Sequence, residues 1–268
     1  MARLRRLDAE LVRRGLARSR EQAADLVHSG AVLVSGRAAA KPATQVDPAA
    51  PIEVQRREDG PDWVSRGAHK LLGALAVFGP AGLVVAGRRC LDAGASTGGF
   101  THVLLEHGAA HVVAVDVGYG QLAWSLQTDE RVSVLDRTNV RELSPEQVAP
   151  APHLVVGDLS FISLEVVLPA LRAAAAPDAD HVLMVKPQFE VGRERLGSGG
   201  VVRDPALRGE AVLGVARAAA RHGLGVAGVT ASPLPGPSGN VEYFLWMRED
   251  APEVDPADVE KAVAEGPR

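Results

Sequence analysis

The chain has 268 residues, of which 46% are hydrophobic and 23% charged, so it has enough apolar material for a core and is not expected to be disordered. No apolar run reaches the length of a membrane span, and no apolar stretch follows the arginine-rich start, which argues against a secretory signal. The one cysteine excludes an internal disulfide and a cysteine-cluster metal site. We therefore expect a cytoplasmic protein with no metal and no membrane partner.

The net charge of −4 conceals a division along the chain. Residues 1–41 carry nine basic and four acidic side chains, whereas the remainder carries 20 basic and 29 acidic ones. This asymmetry indicates a basic module attached to an acidic body, and a cluster of arginines at one end is typical of phosphate binding. The alternative is an amphipathic helix whose arginines are simply solvated.

The first 60 residues predict a small α+β domain. Two short helices are expected at 7–16 and 19–29, the second capped by Ser19, and strands at 31–35 and 52–55. A polar stretch with a Gly-Pro pair follows and is typical of a linker. We therefore place a basic domain at 1–60, a linker at 61–64 and a second domain at 65–268.

The second domain alternates strand and helix signals. Strands separated by helices predict an α/β fold with a doubly wound, mostly parallel, Rossmann-like sheet, and the last two strands predict an antiparallel terminal hairpin. The acidic tail from Glu249 is either a helix or frayed. The expected strands are 89–93, 111–115, 132–135, 153–157, 181–185, 225–231 and 241–247, and the expected helices are 66–78, 98–107, 121–126, 164–175 and 206–222.

A glycine-rich loop, Asp92-Ala-Gly-Ala-Ser-Thr-Gly-Gly-Phe100, joins a predicted strand to a predicted helix. A nicotinamide enzyme would use G-x-G-x-x-G, with a pyrophosphate at the helix N-terminus. A carboxylate inside the loop suits a cationic ligand instead, and S-adenosylmethionine has an ammonium and a sulfonium but no phosphate. Asp116, at the next strand end, would accept the ribose hydroxyls, and Asp136 the adenine amino group.

The sequence therefore predicts an S-adenosylmethionine site. Phe100 would either line this crevice or pack in the core. The residues assigned to the site are Asp92, Gly94, Ser96, Gly98, Gly99, Phe100, Asp116, Val117, Asp136 and Asp158.

Four further groups suggest chemistry at the same sheet edge. Asp158 and Lys186 follow predicted strands, Glu242 begins the last one, and Lys70 lies on the helix that enters the domain. A sugar hydroxyl is a poor nucleophile and needs a base, and a lysine can serve as one when burial or a second cation lowers its pKa. Two lysines with two carboxylates therefore suit deprotonation of a hydroxyl.

Several sequence segments, occurring in a particular order along the chain, make it similar to a known family. It resembles the TlyA-type proteins, called haemolysins and also ribosomal RNA 2'-O-methyltransferases, which are related to the FtsJ-like methyltransferases. Its N-terminal module resembles the RNA-binding domain of ribosomal small-subunit protein four. The segments that carry these likenesses are Ser65–Leu71, Leu91–Thr101, Asp116–Leu122, Asp158–Leu164, Lys186–Glu190 and Pro233–Tyr243, and, in the module, Arg6–Asp8, Gly15–Arg20 and Val32–Gly36.

The resemblance implies a Lys-Asp-Lys-Glu tetrad at Lys70, Asp158, Lys186 and Glu242, with Lys186 as the base. It also implies cytidines of 16S and 23S ribosomal RNA as substrates, and ribosomal RNA or ribosomal subunits as partners. The oligomeric state stays open. Alternatives are a membrane-damaging protein, or an RNA-binding module with a decayed enzyme domain. The residues expected to bind RNA are Arg3, Arg5, Arg6, Arg18, Arg20 and Arg66.

Overall fold

The computed structural model describes residues 4–17, 20–28, 30–54 and 61–267. They divide into two compact units, Met1–Asp62 and Trp63–Arg268. The division falls within the predicted linker, 61–64.

The N-terminal unit is a small α+β domain, as predicted. β1 pairs with β4, and β2 lies between β3 and β5, all antiparallel. Leu7 and Leu11, four residues apart on one helix face, are fully buried in its core. Its strands are β1 (Arg5–Arg6), β2 (Val32–Val34), β3 (Arg37–Ala38), β4 (Gln45–Val46) and β5 (Ile52–Val54), and its helices are α1 (Leu7–Arg13) and α2 (Arg20–His28).

The predicted end of α1 can be compared with the structure, whereas the predicted N-cap of α2 cannot. The first helix was predicted to reach residue 16 but ends at Arg13, and Gly15 follows with φ +70°, a conformation that favours glycine. The predicted cap of the second helix, Ser19, lies outside the described residues.

The C-terminal unit alternates strands and helices along its length. Its strands are β6 (Arg89–Ala93), β7 (His111–Val115), β8 (Val132–Leu135), β9 (Leu154–Gly157), β10 (Asp180–Val185), β11 (Gly225–Ala231) and β12 (Tyr243–Arg248). Its helices are α3 (Gly67–Phe78), α4 (Gly99–Glu106), α5 (Trp124–Gln127), α6 (Pro145–Val148), α7 (Leu164–Ala174), α8 (Pro187–Glu190), α9 (Pro205–Ala220) and α10 (Pro256–Glu265).

The strands form one seven-stranded sheet in the order β11-β12-β10-β9-β6-β7-β8. β6 to β10 pair in parallel, whereas β12 runs antiparallel to both of its neighbours. The predicted doubly wound, mostly parallel sheet with an antiparallel strand is thus confirmed. Since β6 lies between β7 and β9, the chain reverses its winding there, and the ligand crevice of such sheets opens at this point beyond the carboxyl ends of the strands.

Both faces of the sheet are covered by helices. Phe244 packs in one core with α3 and α4, while its neighbour Leu245 packs in the other with α7 and α9. This alternation is what buries β12 on both sides. The tail is helical from Pro256 to Glu265, because Val259 and Ala262 are buried against the second core.

The helix predicted at 121–126 begins only at Trp124. Residues 121–123 are not helical, and Ala123 N donates to the Thr97 carbonyl oxygen (3.1 Å), which ties this segment to the glycine-rich loop.

Candidate active site

Four charged side chains converge at one edge of the sheet. Asp158 and Lys186 directly follow β9 and β10, and Lys70 lies in the first turn of α3. Because β12 runs antiparallel, the residue before it, Glu242, lies at the edge where the parallel strands end. The four residues assigned to the tetrad are therefore brought together.

Their charges alternate. Lys70 Nζ donates to Glu242 Oε2 at 2.6 Å and lies 3.6 Å from Asp158 Oδ2. Lys186 Nζ lies 2.5 Å from Asp158 Oδ1 and donates to Ser160 Oγ at 2.8 Å. Lys70, Lys186 and Glu242 are at most 7% exposed. Charges this deeply buried require partners, and here each ammonium faces a carboxylate.

One carboxylate oxygen of the tetrad has neither a hydrogen bond nor an ion pair in the described structure. Glu242 Oε1 is buried and has no hydrogen-bond partner among the residues described. Gly236 covers it so closely that a Cβ there would lie 2.5 Å from this oxygen. A buried acceptor without a donor costs free energy, and such groups concentrate at functional sites.

Asp92 has a second such oxygen. Its side chain is fully buried at the end of β6, where Oδ2 accepts a hydrogen bond from Thr101 Oγ1 at 2.7 Å. Oδ1 has no partner in the described part of the chain. Burial is the main cause that raises the pKa of Asp92 to about 7. An ammonium ligand would satisfy Oδ1 and offset this cost.

Asp116 presents a carboxylate held by the backbone. Its Oδ2 accepts from Ser96 N at 2.8 Å and its Oδ1 from Gly118 N at 2.7 Å. Each oxygen keeps a further lone pair, so the carboxylate can still accept two hydroxyls. Asp136 accepts from Gly120 N at 2.9 Å, and Val117 is 69% exposed.

The glycines of the loop are required by contacts with the protein itself. A Cβ on Gly99 would lie 2.3 Å from Ser65 Oγ and 2.9 Å from Ala68 N, and one on Gly98 would lie 2.3 Å from Leu126 Cδ1. Gly94 and Gly98 also have positive φ, +85° and +97°. The loop therefore lies directly against the start of α3, the helix that carries Lys70.

Two aromatic residues of this region have different surroundings. Phe100 is 4% exposed and packs against Phe244, with ring centroids 6.0 Å apart, so it belongs to the core. Phe161 is 91% exposed and has a positive φ of 65°, and its ring lies 5.3 Å from that of Phe189.

The residues expected to bind RNA are divided between the units. Arg5, Arg6 and Arg20 lie in the N-terminal unit and are exposed. Arg66 lies in the C-terminal unit, where its Nη2 donates to the Pro235 carbonyl oxygen at 2.8 Å. Arg3 and Arg18 lie outside the described residues.

Sequence reasoning missed Ser160. It is exposed and bonded to Lys186 Nζ, and its only signal was its place two residues after Asp158 in the Asp-Leu-Ser-Phe segment.

In the described ranges no group of histidine, cysteine, aspartate or glutamate residues is arranged to hold a metal ion. Within those same ranges no helix combines the length and apolar character needed to cross a bilayer.

Two family models match the chain. The profile of the FtsJ-like methyltransferases matches residues 63–249, and that of the S4 domain matches residues 5–52. The fold and site thus define an FtsJ-like methyltransferase preceded by an S4 domain.

Individual relatives identify the family within the FtsJ-like methyltransferases. Over 272 aligned residues, covering 100% of both chains, the chain is 60% identical to a Mycobacterium tuberculosis protein named 16S/23S rRNA (cytidine-2'-O)-methyltransferase TlyA. It is 35% identical to Hemolysin A of Brachyspira hyodysenteriae, over 89% of this chain and 98% of that one. The chain belongs to the TlyA family, as its sequence motifs predicted.

A solved structure supports the same relationship across both units. A Streptococcus thermophilus protein described as a hemolysin superposes with a TM-score of 0.77 at 37% identity, covering 99% of this chain and 96% of that one.

Proposed function

We propose that this protein transfers a methyl group from S-adenosylmethionine to the ribose 2'-oxygen of cytidines in 16S and 23S ribosomal RNA. The observation that carries the proposal is the Glu242–Lys70–Asp158–Lys186 network, in which charges alternate, beside the glycine-rich loop. The substrate is inferred from the name of the 60% identical relative.

The loop residues suit the methyl donor. S-adenosylmethionine, when bound, supplies an electrophilic methyl group on a positively charged sulfur. The unpartnered Asp92 Oδ1 would accept from the ligand's ammonium, and Asp116, held by two backbone N–H groups, would accept from its ribose hydroxyls. Asp136 would receive the adenine amino group.

Lys186 would act as the base. In its neutral amine form, its Nζ takes the proton of the 2'-hydroxyl, and Asp158 at 2.5 Å stabilises the ammonium that results. Lys70 lies 3.6 Å from the same carboxylate and is paired with Glu242, so it adds a fixed positive charge that stabilises the developing alkoxide. The protein otherwise contributes alignment and exclusion of water.

The N-terminal unit would supply RNA affinity. Exposed arginines bind phosphates with little reading of base sequence, which makes the affinity dependent on salt. The target nucleotide must leave its stack to enter a crevice at the sheet edge. A cytoplasmic location, where ribosomal RNA is available, goes with this function.

The proposal is tested with purified protein, methyl-labelled S-adenosylmethionine and ribosomal subunits that lack the modification. We expect label in RNA, recovered as 2'-O-methylcytidine after nuclease digestion and mass spectrometry. An RNA with 2'-deoxycytidine at the mapped position is the matched control and should take up no label. Label on a base, or no binding of the methyl donor by calorimetry, would overturn the proposal.

A further inference from the structure

The N-terminal unit buries two carboxylates among its arginines. Asp8 is 4% exposed and Glu10 is not exposed at all, although both lie on the short helix α1. Acidic side chains on such a helix are almost never fully buried unless they are paired.

Glu10 is enclosed by three guanidinium groups. Arg13 donates to both carboxylate oxygens, from Nη2 at 2.5 Å and from Nε at 2.8 Å, and Arg14 Nε donates to Oε1 at 2.8 Å. Arg5 Nη1 lies 3.9 Å from Oε2. Hydrogen bonds from Arg13 and Arg14 are the main causes that lower the pKa of Glu10 to about 2, so it is charged at neutral pH.

Asp8 is paired in the same way. Arg6 donates to it from Nε at 3.1 Å and from Nη2 at 2.7 Å, and Arg20 Nη2 donates at 3.0 Å. The hydrogen bonds from Arg6 hold the pKa of Asp8 well below its usual range. Residues far apart in sequence are thereby held around one carboxylate.

The arginines divide into two kinds. Arg14 is only 21% exposed, and its two terminal nitrogens donate to the carbonyl oxygens of Ala50 and Pro48, so it ties α1 to that turn. The side chains of the other four are between 47% and 60% exposed. These four, Arg5, Arg6, Arg13 and Arg20, are called the arginine array below.

We propose that Asp8 and Glu10 are positioning residues that hold the arginine array in a geometry ready to bind RNA phosphates. The inference rests on the proposed function, since it names how the RNA is gripped.

Arg6 and Arg13 each present the Nε and Nη2 edge of the guanidinium to a carboxylate, and in the described ranges their Nη1 groups have no hydrogen-bond partner and remain for a ligand. The two negative charges also offset repulsion among five neighbouring cations. Arginines fixed before binding lose less rotamer freedom when they bind.

The variant Glu10→Gln tests this inference because two explanations predict opposite signs. The substitution keeps the shape and makes the unit more positive by one charge, so simple electrostatics predicts tighter RNA binding. Loss of positioning predicts binding weaker by roughly threefold to tenfold, as Arg5 and Arg13 regain their freedom. The measurement is the Kd of the full chain for a ribosomal RNA fragment between 50 and about 200 mM salt.

The control is Glu53→Gln, on the exposed face of β5, which makes the same charge change outside the array. It should bind equally well or slightly more tightly. Glu10→Gln should also flatten the plot of log Kd against log salt, by roughly 0.7–0.9 for each phosphate that is no longer bound. A purely structural role would leave this slope unchanged.

Circular dichroism establishes that each variant is folded. Should Glu10→Gln unfold the N-terminal unit, Asp8→Asn carries the same prediction through Arg6 and Arg20. A folded variant that binds as tightly as the wild type, with an unchanged salt slope, overturns the inference. Failure of the wild-type protein itself to bind ribosomal RNA would instead count against the proposed function.

Discussion

The two edges of the central sheet bury carboxylates in different ways. At the amino edge, Asp180 begins β10 and both of its oxygens are engaged: Oδ1 accepts from Trp246 Nε1 at 2.7 Å and Oδ2 from Arg88 Nη1. At the carboxyl edge, Asp92 and Glu242 are at least as deeply buried, yet each keeps one oxygen without a partner in the described structure.

This difference separates stability from function. A buried carboxylate that is fully bonded has its desolvation offset within the fold, whereas one with a free oxygen retains a cost that a bound ligand can offset. We therefore interpret the amino edge as structural and the carboxyl edge as the binding edge. Substitutions at the two edges should change different measured quantities.

The largest effect is expected from Lys186→Ala at the carboxyl edge. Loss of the base should lower methyl transfer by roughly 10²- to 10⁴-fold, while binding of the methyl donor stays near the wild-type value. Single-turnover transfer of label to ribosomal RNA measures the first quantity and calorimetry the second. Lys261→Ala, on the exposed side of α10, is the control and should lose nothing. Full turnover in Lys186→Ala would contradict its assignment as the base.

A smaller effect is expected from Asp116→Ala. Removing the acceptors for two ribose hydroxyls should weaken binding of S-adenosylmethionine by roughly tenfold to a hundredfold, which calorimetry can measure. Asp129→Ala removes a carboxylate that pairs with Arg131 and should leave this affinity unchanged. Equal affinities in the two variants would mean that Asp116 does not face the ligand.

At the amino edge, Asp180→Ala should act on stability alone. It leaves Trp246 Nε1 buried without its acceptor and removes the partner of Arg88, so the free energy of unfolding should fall by roughly 1–3 kcal/mol. Urea unfolding measures this change, and turnover of the folded protein should be retained. The neighbouring Asp178 is 80% exposed, and Asp178→Ala is the matched control. A loss of turnover without a loss of stability would contradict the interpretation that the amino edge is structural only.

The pH dependence of stability should have opposite signs at Asp92 and at His181 of β10. Burial raises the pKa of Asp92 from 3.8 to about 7, so between these values the folded protein holds a proton that the unfolded chain has lost. Its contribution to stability therefore grows as the pH falls. Burial lowers the pKa of His181 from 6.5 to about 4, so here the unfolded chain holds the extra proton and the contribution shrinks as the pH falls.

In the wild type these two contributions to the pH dependence of stability cancel, so single variants are needed to separate them. Between pH 4.5 and about 6, the stability of the wild type relative to Asp92→Asn should rise by about 1.4 kcal/mol per pH unit lowered, and relative to His181→Asn it should fall by about as much. Urea unfolding across this range measures both. Slopes of the same sign would contradict the assignment of either group.

The sequence predicted most of the fold and where the residues of the candidate site converge, for physical reasons. Apolar strands that alternate with helices leave few arrangements for the sheet, and groups placed after parallel strands must meet at one edge, which is how Asp158 and Lys186 come together. Strands of two residues such as Arg5–Arg6 carry no periodicity, and the one-turn helix α8 has too few residues to show one.

Other features depended on contacts that no pattern encodes. Asp8 and Glu10 alternate with apolar residues on a short basic helix, so only the folded structure reveals that arginines from several elements bury them. Ser160 lies in a loop, and its contact with Lys186 depends on backbone angles that include the positive φ of Phe161. A Cβ at Gly98 or Gly99 would collide with Leu126 or Ser65, so packing within the protein also requires these glycines, a constraint that no sequence pattern shows.

The closeness of Gly99 to Ser65 and Ala68 couples the loop proposed to bind the methyl donor to the helix that carries Lys70. Even a methyl group at residue 99 would push α3 outward, and that helix would carry the Lys70 ammonium away from Glu242. We therefore expect that a substitution at Gly99 is accompanied, in related sequences, by a substitution at the start of α3.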